Sequence, residues 1–208
     1  DYWVVKINSA GTIEWEKTLG GSQYDIAKSI CQTSDGEYIV AGNTESTDGD
    51  ITENNGKSVC WIVKLSSIGS IEWQKTFKGK VYGPKGNGLS ESIQQTPDNG
   101  FIIAETIATS INGVDDQQDY WILKLNSSGE LKWQKTFGGS KEEQAHCIRH
   151  TKDGGYIVVG STTSPDGDVT GFNGGLLLGD FWVVKLRGKP VNYQISDISD
   201  MTFSIIND

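Results

Sequence analysis

The amino-acid sequence predicts an all-β fold, and three observations lead to that prediction. A strand-like segment occurs four times, as YWVVKI (2–7), CWIVKL (60–65), YWILKL (120–125) and FWVVKL (181–186). All seven tryptophans fall on positions of this repeat, and the chain holds 26 glycines but 4 prolines. Runs of β-branched and aromatic residues between glycine-containing turns are typical of short antiparallel strands.

Four strands can be read in each copy, and the first copy gives their order. The segment YWVVKI leads through the turn NSAG (8–11) into IEWEKTL (13–19), and glycine closes the turn as hairpins prefer. A Gly-Gly link precedes a third strand within AKSICQT (27–33). The turn SDGE (34–37) opens a fourth strand, YIVAG (38–42), and a long polar loop returns to the next copy. This order recurs with a period of about sixty residues.

The periodicity predicts a β-propeller-like array of four-stranded antiparallel blades, with three full modules plus the first strand of a fourth. Each blade has two apolar faces that it cannot bury alone, and stacking the blades buries both. Propellers close with about four to eight blades. We therefore expect that the rest of a larger chain or a second copy completes the ring, or that the modules form an open array. The predicted units are modules 1–58, 59–118 and 119–179 and a closing strand 180–187 within a repeat domain 1–187, then a tail over 188–208 that links to a further domain or completes the last blade.

The tryptophans are expected to dock one blade on the next. Each copy of the first strand contains one tryptophan, and a second follows twelve residues later in three copies. Such regular spacing favours packing over a sugar-binding platform, because each ring then fills the same niche between blades. The predicted docking residues are Trp3, Trp15, Trp61, Trp73, Trp121, Trp133 and Trp182.

Charge and composition exclude some classes of partner. The formal net charge is −9, which would repel a polyanionic backbone on average, so no nucleic-acid partner is predicted. No segment approaches the roughly eighteen apolar residues of a membrane span, and no membrane insertion is predicted. The cysteines Cys31, Cys60 and Cys147 fall at unrelated repeat positions, which favours free thiols over a disulfide framework.

The segments DYWVVKIN, IEWEKTLGGS and DIAKSICQTSDGEYIVAG closely resemble the propeller-like repeats, of about sixty residues, in large secreted and cell-surface proteins of Bacteroidetes-type bacteria. They are similar, more distantly, to the delta-60 repeat. The resemblance covers residues 1–187 and implies an extracellular or cell-surface, non-enzymatic repeat region. It carries no catalytic residue over to this chain. The segment KLNSSGELKWQ (124–134) also resembles the tryptophan-docking repeat of quinoprotein propellers, over one hairpin per module.

Two long loops, DGDITENNG (48–56) and DGDVTGFNG (166–174), match at two aspartates, a threonine, an asparagine and the final glycine. Carboxylates two residues apart, then a hydroxyl and an amide oxygen, are hard ligands that Ca²⁺ prefers, and no other cofactor is indicated. Alternatively, the loops form Asx-type turns whose carboxylates accept hydrogen bonds from backbone N–H groups. The candidate calcium ligands are Asp48, Asp50, Thr52, Asn55, Asp166, Asp168, Thr170 and Asn173.

The two histidines are weak candidates for a metal site. Alternation along a strand would place His146 and His150 on one face and Cys147 on the other, and a zinc site needs a third ligand. The equivalent residues in the first module, Lys28 and Gln32, indicate a solvated strand surface. We predict no metal use there.

Three functions remain open from the sequence. The first is a non-enzymatic extracellular module that acts as a rigid scaffold or as an adhesive surface for protein or glycan partners. The second is a calcium-assisted carbohydrate-binding module in which Tyr82 and Phe172 stack on sugar rings. The third, part of a propeller enzyme, is least favoured, because no catalytic motif occurs and no catalytic residue is predicted. The loops predicted to contact partners are 43–58, 79–90, 105–118 and 161–179.

Overall fold

The regular elements of the chain are β-strands joined by turns and loops. The computed structural model describes residues 1–54, 58–78, 92–111, 114–174, 179–187 and 202–206. The strands are β1 (Tyr2–Ile7), β2 (Ile13–Leu19), β3 (Asp25–Gln32), β4 (Tyr38–Thr44), β5 (Val59–Leu65), β6 (Ile71–Phe77), β7 (Ser92–Gln95), β8 (Phe101–Ile111), β9 (Val114–Leu125), β10 (Leu131–Phe137), β11 (Glu143–His150), β12 (Tyr156–Thr162), β13 (Asp180–Leu186) and β14 (Thr202–Ile206). Among these residues there is no helix long and apolar enough to cross a membrane.

The described strands form four sheets, which we number I to IV along the chain. Sheet I pairs β1 with β2, and the other three have the orders β3-β4-β5-β6, β7-β8-β9-β10 and β11-β12-β13-β14. Neighbouring strands are antiparallel except β13 and β14, which are parallel. The all-β prediction is therefore confirmed. Consecutive sheets contact one another, since β3 touches β1 and β7, and β11 touches β7, β8 and β9.

The four strands of one sequence module do not share one sheet, contrary to our reading of each module as a blade. The third and fourth strands of a module pair with the first two strands of the next one. In sheet II, for example, Gly42 of β4 lies opposite Trp61 of β5, and Lys64 of β5 lies opposite Trp73 of β6. A repeat period gives the size of the structural unit but not the residue at which the unit begins. The sequence alone therefore does not show which four strands share a sheet.

The buried residues of the described chain form three hydrophobic clusters, one between each pair of consecutive sheets. Strand β5 shows how a strand serves two clusters: Cys60 and Ile62 face sheet III, whereas Trp61, Val63 and Leu65 face sheet I. We call the face that a sheet turns toward the next sheet along the chain its forward face. The face that it turns toward the preceding sheet is its receiving face. Because side chains alternate along a strand, every inner sheet is buried on both faces.

The second tryptophan of each module packs across a sheet junction. The ring of Trp15 lies 5.6 Å from the ring of Tyr38, centroid to centroid, and its Nε1 donates a hydrogen bond to the carbonyl oxygen of Ser67. Both partners belong to sheet II or its hairpin. The equivalent ring pairs at the next two junctions are Trp73 with Phe101 at 5.9 Å and Trp133 with Tyr156 at 6.0 Å.

The first tryptophan of each module lies on a receiving face. Trp61, Trp121 and Trp182 are buried, whereas 66% of the Trp3 side chain is exposed. The Nε1 atoms of Trp61 and Trp121 donate to the side-chain oxygens of glutamines on the neighbouring strand, at 2.8 and 2.9 Å. A buried tryptophan of this kind contributes several kcal/mol, at about 25 cal/mol per Å² of apolar surface.

The pairing register shifts in several pairs of described strands, and the shifts in β3 and β11 change which of the predicted residues share a face. The pairing of β11 with β12 shifts between Ala145 and Cys147, so that His146 is the extra residue of a bulge. The pairing of β3 with β4 shifts at the equivalent residue, Lys28. Strict alternation from His146 to His150, which the sequence argument assumed, therefore does not hold. A bulge inserts one extra residue and reverses the alternation beyond it.

Part of the predicted tail completes sheet IV. Strand β14 pairs with β13 at the edge position that β6 and β10 occupy in sheets II and III. Unlike those antiparallel strands, β14 runs parallel to its neighbour. This agrees with the alternative in which the tail completes the last sheet.

Candidate functional site

The junction between sheets I and II is built around Tyr2. The Tyr2 ring lies 4.5 Å from the Trp61 ring, and its hydroxyl donates a hydrogen bond of 2.9 Å to the Trp61 carbonyl oxygen. Opposite Trp61 stands Gly42, where an added Cβ would lie 2.5 Å from the Tyr2 hydroxyl and would overlap the carbonyl oxygen of Ile26. Glycine is therefore required because the tyrosine and a neighbouring strand approach the backbone closely.

The junction between sheets III and IV repeats this arrangement. The Tyr120 ring lies 4.6 Å from the Trp182 ring, and its hydroxyl donates a hydrogen bond of 3.1 Å to the Trp182 carbonyl oxygen. Gly160 stands opposite Trp182, again beneath the tyrosine hydroxyl. Burial raises the pKa of Tyr120 far above its usual value, and the charge of Glu143 acts in the same direction. This hydroxyl therefore stays protonated as a donor.

The middle junction, between sheets II and III, uses different residues at the same positions. Cys60 takes the place of the tyrosine, and Glu105 takes the place of the glycine. The Glu105 side chain is 2% exposed, and its Oε1 accepts a hydrogen bond of 2.8 Å from the Asn43 amide. Asn43 in turn lies opposite Cys60 in the pairing of β4 with β5. A long polar side chain from sheet III thus extends back toward the position where the tyrosine would have extended forward.

The first acidic loop is bound to the Gly-Gly link between β2 and β3. Oδ1 of Asp48 accepts a hydrogen bond of 2.7 Å from the backbone N–H of Ser22, and Oδ2 of Asp50 accepts one of 3.0 Å from that of Gly20. The backbone N–H of Asp50 donates to the carbonyl oxygen of Gly20 at 2.9 Å. The N–H and side chain of Ser22 lower the pKa of Asp48. A Cβ at Gly21 would overlap the Asp48 carboxylate, so the link must be glycine.

The second acidic loop makes the same contacts. Oδ1 of Asp166 accepts from the backbone N–H of Ser140 at 2.8 Å, and Oδ2 of Asp168 accepts from that of Gly138 at 3.1 Å. The backbone N–H of Asn173 donates to Asp180 at 2.6 Å. The carboxylates thus accept hydrogen bonds from backbone N–H groups, as in the second interpretation of the loops, but those groups lie 26 and 30 residues away in the Gly-Gly link rather than within an Asx-type turn. The described residues include no group of three or more His, Cys, Asp and Glu side chains placed to hold a metal ion.

The other predicted calcium ligands are not brought together by any of these contacts. Thr52 is exposed, and Thr170 is exposed and has an interaction of its own. Asn55 lies outside the described residues. The loops are more firmly built into the fold than partner-binding loops would need to be, since Ser46, Ile51 and their counterparts Ser164 and Val169 are buried.

Two buried carboxylates, those of Asp25 and Glu143, hold the same links in place. Asp25 accepts hydrogen bonds from the hydroxyls of Thr44 and Ser46, at 2.5 and 3.0 Å, and from the backbone N–H of Gly21 at 2.8 Å. Glu143, fully buried, accepts from the hydroxyl of Thr162 at 2.6 Å and from the backbone N–H of Gly139 at 2.7 Å. Each lies four residues after the second glycine of its link, and this shared spacing was the available signal.

A second set of polar contacts recurs in sheets II, III and IV. In sheet III, Nζ of Lys124 lies 3.0 Å from both carboxylate oxygens of Asp98 and from the hydroxyl of Thr96. Partial burial alone would raise the pKa of Asp98, but the hydrogen bonds from Thr96 and Lys124 and the lysine charge outweigh it and lower the pKa to about 2. The counterparts are Lys64 with Asp35 and Lys185 with Asp153, and the pKa of both aspartates is lowered as well. The signal in the sequence was a Thr-x-Asp turn in every module.

The two aromatic residues predicted to stack on sugars differ in what can be said of them. Phe172 is half-buried and packs against the hydrophobic cluster between sheets III and IV, which leaves less of its ring for a ligand than we expected. Tyr82 lies outside the described residues. The three cysteines are free thiols; Cys60 is buried, and Cys31 and Cys147 are half-buried.

Two surface depressions lie at opposite ends of the series of sheets. A groove of about 360 Å³ on sheet IV, which we call the Phe181 groove, is lined by Glu142, Gln144, Ser161, Thr163, Asp180 and Phe181. A cavity of about 260 Å³ at the other end, the Trp3 cavity, lies between β1 and β3 and is lined by Trp3, Val5 and residues 27–30. Both contain a large exposed aromatic ring, since 74% of Phe181 and 66% of Trp3 are accessible.

Comparisons with known proteins give little to set beside this geometry. No protein-family model matches the sequence, and no curated protein matches it. One solved structure that aligns with the chain is a fucose lectin from Kordia zhangzhouensis in complex with methyl-fucoside. The TM-score is 0.43 and the sequence identity 9%, over 79% of this chain and 99% of the lectin chain. Similarity at this level does not establish a shared fold.

Proposed function

We propose that this chain is a non-enzymatic scaffold in which β-sheets stack in a propeller-like series and present their edges and end surfaces to partners. The observation that supports this proposal most strongly is the docking of an aromatic side chain from one sheet on the next at successive junctions. Such junctions couple neighbouring sheets and make the series rigid. An extracellular or cell-surface location, which the repeat resemblance implies, belongs to the same proposal.

The use of the charged side chains supports a structural role. The recurring carboxylates accept hydrogen bonds from backbone N–H groups, as Asp50 and Asp168 do, or from a lysine and a threonine, as Asp98 does. The first kind of contact joins an acidic loop to a Gly-Gly link, and the second joins a turn to a strand of the same sheet. Groups held in this way stabilise the series of sheets, whereas catalysis needs acids and bases that converge on a substrate.

Native-state hydrogen exchange tests the scaffold directly. If the sheets form one rigid series, backbone amides of Ile62, Ile122 and Val184, which are buried in sheets II, III and IV, should exchange through the same global opening. Trp73→Ala, at the middle junction, should then lower the protection of all three amides together, because the sheets unfold as a unit. Loss of protection in one sheet alone would contradict a rigid scaffold.

Carbohydrate binding is a second candidate, favoured by the Phe181 groove. The groove combines an exposed aromatic ring with the carboxylates of Glu142 and Asp180, the amide of Gln144 and two hydroxyls. An aromatic platform beside polar hydrogen-bonding groups is a common arrangement in ligand sites. The groove thus supports glycan binding through residues other than the predicted Tyr82 and Phe172.

Affinity electrophoresis on a panel of polysaccharides, with calcium and with EDTA, tests this candidate. Phe181→Ala should abolish any retention, while Ile68→Ala, an equally exposed residue on a distant turn, should leave it unchanged. Retention that both variants share equally, or no retention on any polysaccharide, would reject the groove as a sugar site. Loss in EDTA would show that the binding depends on calcium.

A further inference from the structure

The two ends of the series present complementary halves of the same junction. At each internal junction the forward face of one sheet packs on the receiving face of the next. At the outer two of these junctions, the forward face supplies a tyrosine, Tyr2 or Tyr120, and the receiving face supplies the first tryptophan of the next copy, Trp61 or Trp182. These two junctions therefore show, within one chain, the kind of contact that the two ends could make with each other.

Sheet I presents a receiving face. Trp3, Val5 and Ile7 hold the positions of Trp61, Val63 and Leu65 in sheet II. The sheet II residues are 0% exposed, whereas 66% of Trp3 and 59% of Ile7 are accessible. Among the described strands β1 pairs only with β2, so its other edge, which corresponds to the edge of β5 that pairs with β4, is also open.

Sheet IV presents a forward face. Phe181 holds the position of Tyr2 and Tyr120, which are both 0% exposed, and yet 74% of Phe181 is accessible. Val159, on the neighbouring strand, is 36% exposed, although its counterpart Ala41 in sheet II is fully buried in the junction with sheet III. Phe181 and Val159 thus lie on an apolar forward face on which no described sheet packs, and Val183, between them on that face, is 8% exposed.

We infer that a second copy of this chain docks head to tail, with the Phe181 face of one copy on the Trp3 face of the other. The inference rests on the proposed scaffold, because it extends the same stacking beyond one chain. The Phe181 ring would pack on the Trp3 ring as Tyr2 packs on Trp61 inside the chain, at a centroid distance of 4.5 Å. Glu142 and Asp180 line one depression and Lys28 lines the other, while the carboxylate of Glu16 accepts a hydrogen bond from Nε1 of Trp3 on the same face as that ring, so packing of the two rings rather than net charge carries the inference.

A head-to-tail contact has a consequence for the size of the assembly. Each copy has one face of each kind, so every dimer still presents an open face at either end. Such heterologous contacts close into a ring or continue as an open series. We therefore expect species larger than a dimer as the protein concentration rises.

Sedimentation velocity over a range of micromolar concentrations, with four variants, tests the inference. Trp3→Ala and Phe181→Ala should each remain monomeric, because each lacks one of the two faces on every copy. An equimolar mixture of the two should form a dimer that does not grow, since one intact face of each kind remains. Phe181→Tyr should assemble at lower concentration than the wild type, because a tyrosine hydroxyl could donate to the Trp3 carbonyl oxygen as Tyr2 does to that of Trp61. Ile68→Ala is the control and should behave like the wild type.

Several outcomes would overturn the inference. A wild-type protein that stays monomeric at all concentrations would do so, and so would a mixture of the two alanine variants that shows no dimer. A monomer in which Phe181→Ala abolishes glycan retention would instead assign the Phe181 face to carbohydrate. Hydrogen exchange reports on the scaffold independently, so a failure of self-association and a failure of the proposed function can be told apart. Both alanine variants should fold, because the two side chains are mostly exposed.

Discussion

The outer junctions of this molecule and its middle junction solve the same packing problem in two ways. Between sheets I and II, and again between III and IV, a tyrosine from one sheet lies over a glycine of the next. Between sheets II and III the tyrosine is replaced by Cys60 and the glycine by Glu105. At the outer junctions a side chain of the earlier sheet fills this space, whereas at the middle junction a side chain of the later sheet fills it. The two facing residues therefore change together, in size and in polarity, and the space between the sheets stays filled.

The loops also differ between the two outer junctions and the middle junction. The Gly-Gly links and the Asp-Gly-Asp loops occur together at both outer junctions, where they bind each other. In the middle, Lys78 stands at the position of Gly20, and β8 and β9 continue as a long hairpin in place of the acidic loop. A Cβ at Gly20 would overlap the Asp25 carboxylate. One substitution in the link therefore goes together with the loss of the whole loop.

The largest effect is expected from removing an outer-junction glycine. In Gly160→Ala the new methyl group would overlap the Gln144 carbonyl oxygen and press on the Tyr120 hydroxyl. Overpacking against backbone should destabilise the fold by about 3 kcal/mol, which lowers the melting temperature by roughly 6–12 °C for a chain of this size. Thermal unfolding followed by circular dichroism measures it. Gly154→Ala, where an added Cβ meets no atom within 4 Å, should show only the smaller cost of its backbone conformation.

The acidic loops should give an intermediate effect. Asp50→Ala and Asp168→Ala each remove a carboxylate that accepts a hydrogen bond from a glycine of the link. Each change should destabilise the fold by about 1 kcal/mol, the typical net value of a hydrogen bond, as measured by urea denaturation. Because backbone N–H groups satisfy these carboxylates, we expect the same melting temperature in EDTA and in calcium. A saturable rise with calcium that the double variant abolishes would restore the calcium interpretation of the loops.

The sequence predicts the repeat and its strands well, because each depends on local spacing. It could not place the sheet boundary, since strands β3 to β6 form one unit only when β4 pairs with β5 across the long loop. The bulges at Lys28 and His146 were also missed, because an extra residue leaves no mark in composition. One signal was present and unused: the two modules with an Asp-Gly-Asp loop are also the two with a Gly-Gly link.

The smallest effect should come from the lysine–aspartate pairs, which recur within sheets II, III and IV. The pKa of Asp98 is lowered to about 2 in the folded protein, below its ordinary value of 3.8. A lowered pKa stabilises the fold above the ordinary value, and this contribution is lost as the pH falls toward the folded value. Thermal unfolding should therefore be level near neutral pH and decline below about pH 4. Because 66% of the Asp98 side chain is exposed, its share of the decline should be under about 1 kcal/mol.

Asp98→Asn is the variant that isolates this pair. The substitution should make the decline of thermal stability at acidic pH slightly shallower. It should lower the stability near neutral pH only a little. A slope that is identical in the wild type and the variant would show that Asp98 does not titrate as described. The equivalent changes Asp35→Asn and Asp153→Asn allow the same comparison in sheets II and IV.

A double-mutant cycle that converts the middle junction into an outer one tests the central claim most directly. Cys60→Tyr alone should clash with Glu105, and Glu105→Gly alone should leave a void and an unpaired Asn43 amide, so each should destabilise the fold by about 2–3 kcal/mol. With both changes, the tyrosine can lie over the new glycine as Tyr2 lies over Gly42. We predict that the double variant recovers about 2 kcal/mol relative to the sum of the two single effects, measured by urea denaturation. Effects that add to within about 0.5 kcal/mol would contradict the claim that the two junction types are alternative fillings of one space.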